Sequence, residues 1–236
     1  MTSDFLWAAR AQPTRGPKPA LTLDRIAEAA VAVADAEGLA AVSMQRVAAD
    51  LGFTKMSLYR YLPGKAELVA LMVEHAVGAP PELDPADWRT ALRDWAHHLL
   101  AAYVRHPWAL EATVGPRPLG PHELGWMEQA LAALSGTGLS GTERLDTIAV
   151  LSGHVRMIAQ QAAAARHPDA QFSASITAAL AGHADRFPAL AATMTAAATE
   201  SGHDQAFEFG LARLLDGLHT LTQARTPSKH KGRAPS

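Results

Sequence analysis

Apolar residues recur at helical spacing along most of the chain, and no stretch alternates strictly in the manner of a half-buried strand. The fold class expected is all-α. Residues 43–65, SMQRVAADLGFTKMSLYRYLPGK, read as two short helices around a glycine turn. Ser43 caps the first, Met44, Val47, Ala48 and Leu51 follow the 3.6 period on its inward side, and Gly52 supplies the left-handed residue that ends it. Thr54 caps the second. Leu58 and Leu62 share one side with that cap, which leaves Lys55, Met56, Tyr59 and Arg60 pointing the other way.

Further helices are marked by their punctuation. The helix opened by Lys65 runs to about Val77, where Gly78-Ala79-Pro80-Pro81 stops it. Asp84 is the expected cap of a long helix with Pro85 in its first turn and Trp88, Leu92, Trp95, Leu99 and Ala102 on its buried side. A short piece spans 107–113, and a Pro/Gly loop spans 115–120. Pro121 opens a helix with Leu124, Leu131 and Leu134 inward. Thr142 is the expected cap of a helix reaching Arg166, ended by His167-Pro168. Two helical stretches lie between Ser173 and Glu200, broken near Phe187-Pro188, and a last one spans Asp204 to Thr222. The organisation expected is a flexible arm over 1–21, a helix-turn-helix domain over 22–66, a helical body over 67–224 and a basic disordered tail over 225–236.

Charge sharpens this division. The formal net charge is −2, but residues 1–65 hold 8 Lys+Arg against 6 Asp+Glu, a net +2, while residues 66–224 hold 9 against 17, a net −8. The tail adds +4 through Arg225, Lys229, Lys231 and Arg233. An acidic body is repelled by DNA, so binding falls to the basic end. The absence of cysteine excludes disulfides and cysteine-ligated zinc. No uncharged apolar run is long enough to cross a bilayer, and the first residues, MTSDFLWAAR, lack the pattern of a signal peptide, so a cytoplasmic protein with no membrane partner is expected.

Helix, glycine turn, helix is the spacing of a helix-turn-helix unit, whose second helix enters the major groove of double-stranded DNA by its N-terminal residues. Thr54, Lys55, Met56 and Ser57 would be offered first. An ordinary helical hairpin with a solvated basic face has the same spacing. The other candidate chemistries are weaker. Gly138-Leu139-Ser140-Gly141-Thr142 lacks the closing glycine of a nucleophile elbow, and no phosphate-cradling Gly-Lys-Thr/Ser loop occurs. His97 and His98 point to different sides of a helix, and no histidine pair has chelating spacing. No catalysis, cofactor or metal is expected, although an all-helical enzyme stays open as an alternative.

Residues 22–65 resemble the N-terminal domain of the TetR family of transcriptional regulators. The landmarks are a leading helix ending in Gly38, the polar cap Ser43, the Leu51-Gly52 turn, the Tyr59-x-Tyr61 pair and Lys65 opening the next helix. The resemblance implies a regulator, most often a repressor, in which Tyr59 and Lys65 grip phosphates with Ser43 as a third backbone contact. Base reading falls to Lys55, Met56, Ser57 and Arg60; Lys55 and Arg60 carry donors matched to guanine, and Met56 can pack on a thymine methyl. Leu62 stands where the family usually has Phe. The arm over 10–19, with Arg15 and Lys18, suits a minor-groove or phosphate contact, or is a leader without a role.

More loosely, DWRTAL (87–92), HPW (106–108), LGPHELGWMEQAL (119–131) and FEFGLARLLDGL (207–218) are similar to the C-terminal domain of the tetracycline-repressor subgroup. That implies a homodimer built through residues 142–166 and 204–222, with Phe207, Leu211, Leu214 and Leu218 at the interface, and a small-molecule effector held in the body. Candidate pocket residues are Trp95 and His98, Trp126 and Met127, and His154, Met157 and Gln161 at i, i+3, i+7. The chain reads Ala79-Pro80-Pro81 where that subgroup has a drug-binding histidine, so tetracycline is not implied. A helix-turn-helix protein without an effector is the remaining alternative.

Overall fold

The computed structural model describes residues 4–7, 21–84, 86–164, 168–199 and 205–225. Arg15, Lys18, Pro85 and the tail beyond Arg225 lie outside the described residues. The described residues form helices and connecting turns: α1 (Asp4–Trp7), α2 (Leu23–Glu37), α3 (Met44–Asp50), α4 (Lys55–Tyr59), α5 (Lys65–Val77), α6 (Trp88–Arg105), α7 (Ala109–Ala112), α8 (Pro121–Ala133), α9 (Gly141–Ala164), α10 (Pro168–Leu180), α11 (Pro188–Thr199) and α12 (Ala206–Arg225).

Helices α2 to α5 make a small head. Thr22 caps α2 by accepting the Arg25 N–H, and Ile26, Ala27, Ala30 and Ala34 are buried along the face that packs on α5. Ser43 and Thr54 cap α3 and α4 as expected, accepting N–H groups three residues on. Gly52 lies between them at φ +74°. The second helix is shorter than its periodicity suggested. It ends at Tyr59, and Leu62, although fully buried, belongs to the turn that follows. Burial of Leu58, Leu62, Val47 and Ile26 fastens the pair to α2 and α5, each of the larger side chains contributing about 1.5–3 kcal/mol. Arg46 on α3 is held between Glu37, at the end of α2, and Asp50, with N–O distances of 2.9 and 3.1 Å.

In the body α6 lies along α9, and α12 lies along α9 as well. Trp95, Leu92, Leu99 and Ala102 are buried as expected. The cap of α6 is Asp87, however, and not Asp84: Asp87 Oδ1 accepts from the N–H groups of Arg89 and Thr90 and Oδ2 from the Thr90 hydroxyl, while Asp84 closes a turn onto the Ala86 N–H. Likewise Ser140, not Thr142, caps α9. Its hydroxyl accepts the Glu143 N–H and the Glu143 carboxylate accepts the Ser140 N–H, a reciprocal capping box. Leu124, expected inward, is exposed, because Trp126, Ala130, Ala133 and Leu134 form the buried side of the α8 segment.

The front of the expected flexible arm is also different. Residues 4–7 form a helical turn with Leu6 buried, and the Trp7 indole donates to the Leu119 carbonyl. Leu6 adds apolar burial that a solvated arm would not have. The HPW segment is a joint between head and body: His106 Nδ1 and Trp108 Nε1 both reach Asp35 Oδ1 on α2, at 2.8 and 2.7 Å.

Two predictions follow from local geometry. Gly52 has open space where a Cβ would be built, so Gly52→Ala should cost only the left-handed backbone penalty, about 1–2 kcal/mol, read as a lower denaturation midpoint in urea. The second concerns Glu143, which the Arg225 guanidinium, together with the Ser140 N–H, holds down to about 2 from an ordinary 4.5. A carboxyl depressed in the folded state stabilises above its unfolded pKa and loses that contribution as pH falls from 4.5 towards 2. Titration of Glu143 by NMR should show the low midpoint, and Arg225→Gln should return it towards the ordinary value.

Candidate nucleic-acid interface

The outward side of α3 and α4 collects the residues that the sequence assigned to DNA. Leu58 is fully buried, which turns Lys55, Met56, Tyr59 and Arg60 to solvent, Met56 at 71% and Tyr59 at 39% exposure. Thr54 is exposed and Ser57 half-buried, the two hydroxyls 3.0 Å apart. Lys55 Nζ lies 5.5 Å from the centroid of the Tyr59 ring, a cation–π contact that stiffens both side chains.

A hollow on this surface is lined by Ser43, Met44, Gln45, Lys55, Tyr59 and Lys65. Four of these are assigned residues, brought together from the starts of α3, α4 and α5 and the end of α4. Lys65 opens α5 behind Gly64, which offers no side-chain cap, so the first N–H groups of that helix and its positive end face outward beside an ammonium. An anion is the natural occupant of such a place. Gln45 is a lining residue that the sequence reading missed; its position directly after Met44 in the first turn of α3, beside the cap, was the available signal. Arg46 next to it is occupied by Glu37 and Asp50 and is not free for phosphate.

The proposed pocket residues separate into three places. Trp95 and Trp126 meet in the core, rings 6.1 Å apart and edge to face, with the Trp95 indole donating to the Trp126 carbonyl and the Trp126 indole to the Gly78 carbonyl. His154 lies in the seam between α9 and α12, its Nε2 2.9 Å from the Phe207 carbonyl and its ring stacked on Phe207. Gly210 makes that stacking possible, since a Cβ there would come within 2.3 Å of the imidazole. His98, Met127, Met157 and Gln161 are exposed.

The expected interface residues divide too. Leu211 is buried inside its own chain beside Leu215 and is not available to a partner, because it faces α9. Phe207 is half-buried against His97 and His154. Leu214 and Leu218 border an open groove of about 270 Å3 between α9 and α12, with Val150, Gly217 and Leu221. Val150, Met157 and Leu221 are large apolar residues left exposed on this side.

Two family models match the chain. Residues 19–72 match "Bacterial regulatory proteins, tetR family", and residues 80–222 match "Tetracyclin repressor-like, C-terminal domain". The chain belongs to the TetR family. It is therefore a DNA-binding transcriptional regulator with an N-terminal helix-turn-helix and an all-helical body. Among its relatives, the HTH-type transcriptional repressor DrrR1 of Streptomyces coeruleorubidus is 41% identical over 239 residues, covering 95% of this chain and 87% of that one. An HTH-type transcriptional regulator of Saccharopolyspora erythraea is 33% identical, covering 85% and 86%. Among solved structures, apo ActR of Streptomyces coelicolor superposes with a TM-score of 0.75 at 27% identity, covering 87% of this chain and 98% of that one. ActR in complex with actinorhodin gives 0.73 at 28% identity, covering 86% and 98%. Among the described residues of this TetR-family chain no helix is long and apolar enough to cross a membrane.

Proposed function

We propose that this regulator is a repressor that holds operator DNA as a homodimer and releases it when a small molecule binds the body. The observation that carries the DNA half is the outward cluster of Lys55, Tyr59 and Lys65 around a hollow at three helix starts, on a helix pair capped and buried from behind. In this reading Tyr59, Lys65 and Ser43 bind phosphates and set the depth of the second helix. Lys55 and Arg60 then read guanine edges, Met56 contacts thymine methyls, and Thr54 and Ser57 lie at the groove entrance.

Pairing is supported by the apolar side of α9 and α12, where Val150, Leu214 and Leu221 line a groove with the small Gly217 and Met157 is exposed further along α9. Two copies joined there would form a four-helix contact and present two heads to successive major grooves on one face of the duplex. Effector control is supported by the relative ActR, solved with actinorhodin and with (S)-DNPA. An acidic body that DNA repels is suited to bind something else. Such a protein acts in the cytoplasm, beside the DNA it reads.

Sequencing the DNA fragments retained by the purified protein gives its operator, and affinity for that operator tests the head. Tyr59→Phe and Lys65→Ala should weaken binding to all sequences alike, the lysine change flattening the salt dependence by a slope of about one. Lys55→Ala and Arg60→Ala should instead relax preference at single positions, by about 1–3 kcal/mol each. Unchanged affinity in all four variants would remove this surface from DNA binding.

The dimer is tested by Val150→Glu and Leu214→Glu. A charge on an apolar interface opposes association, so sedimentation should report folded monomers, with affinity for the full operator about 10²-fold lower or more because the half-sites are no longer bound together. Variants that remain dimeric would place the interface elsewhere.

A further inference from the structure

Head and body meet at the C-terminal end of α5, where a charged group is buried among apolar ones. Glu74 is only 3% exposed, and its carboxylate lies over the first turn of α8. Oε1 accepts the His122 N–H at 2.5 Å, and Oε2 faces the Glu123 N–H at 3.4 Å. Helix α8 has no cap of its own: Gly120 stands at the N-cap and Pro121 follows. The free N–H groups and positive end of α8 are thus met by a carboxylate from another helix. His122 Nδ1 donates back to the Glu74 carbonyl at 2.9 Å, and one turn along, Trp126 Nε1 donates to the carbonyl of Gly78, which ends α5.

Gly120 is part of the same arrangement. Its φ of −101° is open to any residue, yet a Cβ there would lie 2.4 Å from the Glu74 carboxyl carbon and from Oε2. Any side chain there would have to displace the Glu74 carboxylate from its place over α8.

We propose that Glu74 is a positioning residue that locks α5 to α8, with Gly120 as its seat, so that the angle of the DNA-reading head follows the position of α8. The proposal rests on the proposed release of DNA by a small molecule bound in the body, read here as a change in head position. Burying a carboxylate is costly, and apolar packing stabilises a helix contact at least as well. What a carboxylate adds is direction. Two acceptor oxygens on two successive N–H groups fix both the sliding and the rotation of α5 against α8, whereas apolar contacts tolerate either. A displacement of α8 in the body is then passed to the helix whose other end carries Lys65.

The chain has no cysteine, so Glu28→Cys on α2 and Glu128→Cys on α8, both exposed, give a specifically spin-labelled pair in the full-length protein. The head-to-body distance is measured by pulsed electron paramagnetic resonance, with the labelled chain diluted in unlabelled chain and each variant checked as folded by circular dichroism. With Glu74 present the distribution should be narrow. Glu74→Gln should broaden or shift it, because the amide offers one acceptor and turns a donor towards an N–H. Gly120→Ala should do the same without changing charge, and it keeps the test open should Glu74→Gln fail to fold. The double variant should be no broader than either single one, since both act through one seat. Affinity for the retained DNA fragments should fall by about fivefold or more in the same variants. Folded variants with the parent distribution would overturn the proposal and leave Glu74 a stabilising cap. A changed distribution with unchanged DNA affinity would support the joint and overturn instead the reading that head position governs DNA release.

Discussion

One helix serves two packing surfaces at once, and most of the architecture follows from it. Helix α5 buries Leu68, Ala70, Leu71, Met72 and Val73, too wide an apolar sector for a single neighbour. Part of it faces α2 of the head and part faces α6, α7 and α8 of the body. The head therefore cannot be completed without a helix that also belongs to the body. The two halves share a core and are not two domains on a linker, and the boundary at residue 66 expected from the sequence falls inside a continuous helix. Polar joints then give that shared core an orientation: Asp35 receives His106 and Trp108, and Glu74 receives the start of α8.

The head was legible in the sequence because its determinants are local. Ser43 and Thr54 act on amides three residues away, Gly52 supplies its own left-handed turn, and the period of Leu58 settles which side chains face out. Where two polar residues competed for a role, sequence alone chose wrongly. Asp84 and Asp87 are both plausible caps, and Pro85 drew the choice to the first. In the fold Asp87 has the Thr90 hydroxyl as well as two amides. Thr142 lost to Ser140 for a similar reason, the partner being Glu143 three residues further on.

The body was less legible because its roles are decided between helices far apart in sequence. Leu211 and Leu214 are equivalent apolar positions on a helical wheel, and only the path of α9 makes one core and the other surface. Trp95 and Trp126 looked like ligand-facing groups. Each indole N–H instead finds a carbonyl on a distant segment, which is how a large aromatic with a polar edge is accommodated in a core. His154 needed Gly210, more than fifty residues away, to reach its place.

The cluster of Arg46 with Glu37 and Asp50 has a consequence for what DNA meets. A formal count gives residues 1–65 a small positive balance, but two of their six carboxylates are turned onto one guanidinium at the edge of the candidate interface. On the proposed DNA contact, phosphates approaching Gln45 and Lys55 would meet a neutralised corner and not two free anions. In that reading Arg46 would be a shield: its loss would unmask both acids beside the groove, and a residue that touches no nucleotide would register as one that binds them.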